Sequence, residues 1–344
     1  MQSFPKLKIG QAGVEGFGAH RRQTLRETGL FDLVAVYDYV PENMAKAAAE
    51  ENAAPCASYE ELLDFPGLEG IVISTGAKFH AAQVIAAAER GLHVFVEKPL
   101  CSTPEEMHAL LECQRRTGVV IGVGHADHSA DRLALTLKRL IDSGELGTIA
   151  AFETTTAHNG GMLMKPEEWR ADPAKNPGGM LFQCGVHSLH ELMYLFGAIR
   201  EVSCFLRYDV HTSATADIAQ CLLRFSSGLI GTLHAYHVVP YRHTLNLFGT
   251  KANVYMRNQF FAEGVHLNMQ VSHFDGKYEP LVPVALDPGG EPHGEVRSWY
   301  HGIREGAPVY PSLLDGARAV AVVFAADESA RNGGCAVSVP EELS

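Results

Sequence analysis

The sequence predicts an N-terminal doubly wound parallel α/β sheet followed by a C-terminal α+β domain on an open, mainly antiparallel sheet. Three observations lead there. Short apolar runs alternate with helical stretches over the first 125 residues, the pattern of βαβ units. Beyond that point longer strand-like runs follow one another through hairpin-like turns such as Ser226-Ser227-Gly228. The 344 residues are also more than one hydrophobic core comfortably holds. The expected division is residues 1–125 and 126–344.

In the first part, residues 7–12 read as a strand, Gly13-Val14-Glu15-Gly16-Phe17-Gly18 as a turn, and the stretch through 20–27 as a helix ending near Gly29. A second strand, 33–37, ends on Asp38. Residues 41–51 form an Ala-rich helix, and Ser58 with Glu61 makes a capping box. Residues 70–74 are a buried strand, and a helix opens at His80 and stops at Gly91. Val94-Phe95-Val96 is the next strand. Thr103-Pro104-Glu105-Glu106 supplies an N-cap, a first-turn proline and acids for a helix that ends at Gly118. Residues 119–124 give a sixth strand.

Two of these junctions carry chemistry. A glycine-rich turn between a strand and a helix N-terminus offers unpaired N–H groups and a partial positive charge to a phosphate. Gly13, Gly16 and Gly18 supply that turn, with Phe17 between the last two. Asp38 follows about 20–25 residues later, where a dinucleotide-binding unit places the carboxylate for the ribose hydroxyls. Asp38 would repel a 2′-phosphate, so NAD is expected over NADP. One departure stands out: the usual pattern has glycine at position 15, and this chain has Glu15, turned outward if Gly16 takes over.

The second junction is the end of the 94–96 strand. Pro99 lacks an N–H and cannot continue a central strand. Glu97 and Lys98 are therefore delivered at the carboxyl end of the sheet, where open α/β folds bind ligands. A lysine there suits acid–base work.

The second part begins with a helix over 131–143 and a strand over 147–156. A polar, Gly/Pro-rich stretch from 158 to 179 contains Trp169-Arg170. A helix is expected over 178–196, then strands at 201–208, 218–225, 229–238, 244–248 and 254–257. A helix over 313–332 and a strand near 336–339 close the chain. An open sheet face carrying Leu222, Phe225 and Leu233 would want a partner, so a homodimer or homotetramer through this sheet is expected.

Composition narrows the classes. A net charge of −12 argues against nucleic-acid or anionic-membrane partners. No apolar run approaches the roughly 18–20 residues of a membrane span, and the first residues lead straight into a strand, so no leader is expected. The 7 cysteines are scattered without a Cys-x-x-Cys pair, the usage of a reducing cytoplasm. His187-x-x-His190 shares a helix face, but a zinc site needs three or four convergent ligands, so no metal is expected.

Together these residues resemble the glucose–fructose oxidoreductase / inositol dehydrogenase / rhizopine-catabolism (Gfo/Idh/MocA) family over nearly the whole length. The resemblance is carried by Glu97-Lys98-Pro99, by the turn Thr75-Gly76-Ala77-Lys78-Phe79-His80, and by Trp169-Arg170. It continues in Gly178-Gly179-Met180-Leu181-Phe182-Gln183-Cys184-Gly185-Val186-His187, and in Gly249-Thr250-Lys251. The family's helix acid is Gln183 here, and its trailing acid is His190.

The resemblance implies NAD(P)-dependent oxidation or reduction of a sugar, cyclitol or related polyol. It places Lys98 between nicotinamide and substrate, with a cis Lys98–Pro99 bond, and makes His187 the acid/base, with Gln183 beside it. It adds Thr75, His80 and Glu97 to Gly13, Glu15, Gly16, Phe17, Gly18, Asp38 and Lys98 on the cofactor side. Trp169, Arg170, Gln183, His187 and Lys98 fall on the substrate side. A redox-neutral sugar lyase or glycosidase with tightly held NAD, and a non-catalytic sugar or dinucleotide sensor, share the fold and are the alternatives.

Overall fold

A computed structural model describes residues 4–211, 214–261, 264–274, 276–277, 279–340 and 343. The chain divides into two compact units. One comprises Met1–Asp127, Glu291–Ala317 and Leu343–Ser344, the other His128–Gly290 and Arg318–Glu342.

The first unit follows the alternation read from the sequence: β1 (Leu7–Ala12), α1 (Phe17–Thr28), β2 (Phe31–Tyr37), α2 (Pro41–Glu51), β3 (Ala54–Pro55), α3 (Tyr59–Leu63), β4 (Gly70–Ile73), α4 (Ala77–Glu89), β5 (His93–Val96), α5 (Pro104–Thr117) and β6 (Ile121–Val123). The strands lie in the order β3-β2-β1-β4-β5-β6, and every pairing is parallel. The order reverses at β1, with β2 on one side and β4 on the other. That is the switch point beside which open α/β sheets bind ligands. The capping residues act as read: Ser58 and Thr103 accept the Glu61 and Glu106 amides at 3.0 and 3.2 Å.

The second unit holds α6 (Arg132–Asp142), β7 (Ile149–Ala157), a π-helical turn (Leu181–Gly185), α7 (Val186–Phe196), β8 (Ile199–Arg207), β9 (Ile218–Phe225), β10 (Ile230–Tyr236), β11 (Arg242–Gly249), β12 (Ala252–Phe261), β13 (Gly264–His273) and β14 (Val282–Pro283). Its nine-stranded sheet has the order β14-β13-β12-β11-β7-β10-β9-β8-β15, where β15 is Val337–Ser338. The sheet is mixed: β7 and β10 run parallel, the other pairings antiparallel. One face is buried, with Phe196 of α7 at 5.8 Å from both Phe152 and Phe225.

Three expectations need correction. Phe225 and Leu233 are not on the open face but buried, at 1% and 0% exposure, while Leu222 is 51% exposed. Alternation requires this, because residues three apart on a strand point to opposite sides. The helix expected over 178–196 begins as the π turn and becomes α only at Val186. The division near 125 is not the last: the chain changes units three more times, and α8 (Gly294–Glu305) returns to the first unit, ahead of α9 (Leu313–Arg331).

The return has a physical cause. Trp299 and Tyr300 of α8 are buried against Leu7, Ile9, Phe31, Val72 and Phe95 of the parallel sheet. Trp299 stacks on Phe31 at 5.7 Å. Burying about 150–250 Å² per large aromatic at ~25 cal/mol/Å² is worth about 4–6 kcal/mol each.

Candidate functional site

The glycine turn is built for close approach. Gly13 has φ +80°, and a Cβ there would lie 2.6 Å from the Ser74 carbonyl carbon. A Cβ on Gly18 would fall 2.2 Å from the Gly13 oxygen. Above Gly16, by contrast, a Cβ would meet nothing within 4 Å, so the loop is open on that side. Glu15 is exposed, and its carboxylate lies 3.9 Å from Lys46 of α2. The amides of Val14, Gly18 and Ala19 are taken by Asp38, Glu15 and Gly16, and among the described residues those of Glu15, Gly16 and Phe17 are the loop's remaining donors.

Asp38 is buried at the end of β2. Its two oxygens accept the Val14 amide at 2.9 Å and the Val40 amide at 3.0 Å. Arg22 donates to the Val14 carbonyl and pairs with Glu50 and Glu51, fixing the loop from α1. A tight glycine cradle with an open mouth, and a fixed acid beside it, fit a dinucleotide. Gly13, Gly16, Phe17, Gly18 and Asp38 are the residues that would hold such a cofactor.

Strand β5 delivers Lys98 half-buried at its carboxyl end, and the Lys98–Pro99 bond is cis, as the resemblance implied. Glu97 is turned into the protein. Arg21 of α1 reaches its Oε1 through Nε and Nη2, both at 2.8 Å, and reaches Glu295 of α8 through Nη1 at 2.6 Å. The Arg21 guanidinium also lies 4.8 Å from the centre of the Phe95 ring. Burial pushes Glu97 above the ordinary carboxylate range, against the pull of Arg21 and Lys98. Only glycine fits opposite it, because a Cβ on Gly124 would lie 2.5 Å from Glu97 Oε2.

His80, fully buried, has Nδ1 at 2.8 Å from the Pro99 carbonyl and Nε2 at 2.9 Å from the Thr75 carbonyl. Burial holds it below the usual imidazole range, opposed by those two carbonyls. It joins the turn after β4 to the turn after β5. Thr75 itself donates to Gln83 Oε1 at 2.5 Å.

In the second unit, Gly179 launches the π turn with φ +57° and sits so close to the Ala216 backbone that a Cβ would lie 2.2 Å from its oxygen. Gln183 is buried on the turn, and His187 is half-buried in the first turn of α7. Spacing of four residues puts the two on one helical face. Such π segments are frequent at functional sites, and hydrophobic periodicity gives no sign of them.

Cys184 Sγ lies 3.4 Å from His158 Nε2, while His158 Nδ1 accepts the Gly160 amide at 2.9 Å. The His158 ring meets His237 edge-on at 4.9 Å, and burial, then His158 and Arg170, lower His237 to about 4. Arg170 is exposed; the Trp169 side chain lies outside the described residues. His190, where the family has an acid, is buried with its ring 5.0 Å from His128; burial, then His128, push it down to about 3. Glu191 pairs with His243 at 3.6 Å and anchors α7 on β11. Among the described residues no group of three or more His, Cys, Asp or Glu is placed to hold a metal ion.

Sequence reasoning missed Arg21, Gln11, His158 and the Glu191–His243 pair. An arginine in the first helix and a glutamine in the first strand carry no local signal, since their partners lie far along the chain or in its backbone.

The fold and the cofactor cradle define an oxidoreductase with an NAD-binding Rossmann domain, and residues 7–125 match the family model of that description. Residues 134–255 match the GFO/IDH/MocA C-terminal domain. The chain belongs to the GFO/IDH/MocA family. It is 29% identical over 281 residues to scyllo-inositol 2-dehydrogenase (NAD(+)) of Bacillus subtilis, covering 79% of this chain and 78% of the relative. It is 23% identical over 261 residues to myo-inositol 2-dehydrogenase of Thermotoga maritima, covering 73% and 75%. Among solved structures, an oxidoreductase from Desulfitobacterium hafniense superposes with a TM-score of 0.91 at 24% identity, over 99% of this chain and 100% of that one. Levoglucosan dehydrogenase with NADH gives 0.82 at 23%, over 97% and 99%. Both establish the fold. No helix among the described residues is long and apolar enough to cross a membrane.

Proposed function

We propose that this enzyme transfers hydride between NAD and a hydroxyl-bearing carbon of a sugar, cyclitol or related polyol. The observation that carries the reading is the pairing, in one unit, of the glycine cradle and Asp38 with Lys98 at the carboxyl end of β5. The names of the inositol dehydrogenases and of levoglucosan dehydrogenase support the substrate class. Nicotinamide, when bound, supplies the hydride acceptor.

The chain's own residues handle the proton and the placement. His187 takes the hydroxyl proton as the carbon loses hydride. Gln183, on the same face, orients a substrate hydroxyl. Lys98 is the second acid–base group, placed at the reacting oxygen. Trp169 and Arg170 belong to the substrate wall. Glu97, Thr75 and His80 hold the cofactor side in shape.

Asp38 favours NAD over NADP, because a fixed buried carboxylate repels a 2′-phosphate. Leu222, Ile230 and Phe205 expose apolar surface on the outer sheet face, which supports a homodimer or homotetramer through that face. The free cysteines suit a reducing cytoplasm.

The test is NADH formation, followed by absorbance, with NAD and a panel of inositols, anhydrosugars and hexoses. Turnover with at least one polyol is expected. Binding of NAD without turnover on any member would favour a sensor instead.

A further inference from the structure

Gln11 lies in β1 and is completely buried. Leu7 and Ile9, which share its face of the strand, are apolar and equally buried. The Gln11 Nε2 atom is 3.0 Å from the Gly13 carbonyl and 3.0 Å from the Gly18 carbonyl. Two carbonyl neighbours identify that end of the side chain as the NH₂ group, and both its protons are used. Its other end, Oε1, is buried without a hydrogen-bond partner among the described residues. An unpaired buried acceptor is costly, and a leucine would avoid it. What the amide contributes therefore lies in its two bonds to the loop.

Those bonds decide which way the loop faces. In a planar trans peptide the C=O and N–H point in opposite directions. Holding the Gly13 oxygen inward turns the Val14 N–H outward, where it meets Asp38 at 2.9 Å. Holding the Gly18 oxygen draws the first turn of α1 to within the contact that only glycine permits at position 18.

We propose that Gln11 is a positioning residue for the dinucleotide: it clamps the two ends of the glycine loop and aims both the loop and Asp38 at the bound cofactor. Glu15 occupies the place of the middle glycine, so this loop lacks one of the usual determinants of its shape, and the clamp from beneath supplies it. The proposal rests on the reading of this loop as the NAD site.

The test is Gln11→Met in the full chain, which keeps length and volume and removes both donors. Calorimetric titration with NAD should show affinity lower by about tenfold to a hundredfold. The phosphorus NMR resonances of bound NAD at saturation should move, which a loss of stability alone would not cause. Gln11→Glu is the second variant. Its carboxylate cannot donate, so NAD should bind weakly at neutral pH and more tightly as acid protonates the side chain. An affinity within about twofold of the native value in either folded variant, with unmoved phosphorus signals and no new pH dependence, overturns the proposal. Native binding with unaffected variants removes only the role of Gln11. A native chain that binds no NAD removes the loop reading, and the proposal with it.

Discussion

The Val14 amide donates to Asp38 Oδ2 at 2.9 Å, joining the glycine loop to the end of β2. With the Val40 amide on Oδ1, the carboxylate is oriented by the backbone before any ribose reaches it. Preorganisation of this kind reduces the ordering that binding would otherwise require.

Asp38→Ala should therefore weaken NAD by about tenfold or more, the scale of one hydrogen bond to a charged group. NADP should be affected less, so the ratio of the two affinities should fall. Parallel calorimetric titrations of NAD and NADP check it; an unchanged ratio would mean that Asp38 does not discriminate between them.

Arg21 and Glu97 form a buried ion pair, with side chains 3% and 6% exposed. Removing one partner of such a pair strands the other charge, at a cost of about 3–5 kcal/mol. Arg21→Met should lose about that much stability in urea denaturation. Adding Glu97→Gln should recover a large part of it, because Glu97 is the more deeply buried of the two carboxylates that Arg21 holds, the other being the partly exposed Glu295. Additive losses in the double variant would show that Arg21 stabilises through its packing on Phe95 instead.

Acid should destabilise the fold through its buried histidines. His190 is held near 3 and His237 near 4, against 6.5 unfolded. Below pH 6.5 the unfolded chain takes up protons that these folded sites refuse, so stability falls as pH drops from 6.5 through 4 toward 3. His190 alone accounts for up to roughly 5 kcal/mol over that window, at about 1.36 kcal/mol per unit. His243, raised by Glu191 despite burial, works in the other sense: its contribution is full below 6.5 and is lost as pH rises through its folded value. Urea midpoints between pH 4 and 7 should show a smaller acid loss in His190→Leu than in the native chain. Equal slopes would mean that His190 titrates normally.

Much of the first unit was legible because each feature was local. Strand ends were marked by Asp38 and Pro99, helix starts by Ser58 and Thr103, and the cradle by Gly13 and Gly18. What escaped depends on contacts that a single sequence does not display. Trp299 returns α8 to a parallel sheet whose residues lie far back along the chain, and no spacing announces that. The π turn beneath His187 breaks the period on which helix reading relies. Phe225 is legible as buried once Leu222 is taken as exposed, because the two lie three positions apart on one strand. Gln11 reads as an interruption of an apolar strand until its two backbone acceptors are seen.

The outer sheet face makes its own prediction. Leu222→Asp, at a position 51% exposed in the single chain, should split the proposed assembly while leaving far-UV circular dichroism unchanged. Light scattering of native and variant protein decides it. A native chain that is monomeric at every concentration contradicts the assembly.

The most direct test of the central claim compares the native enzyme with Lys98→Met, following NADH absorbance with NAD and an accepted polyol. The account predicts that turnover falls by at least about a hundredfold, the usual scale of a positioned acid–base group, while calorimetric NAD affinity changes only a few-fold. NADH formation at the native rate in Lys98→Met would contradict it and remove Lys98 from the reaction.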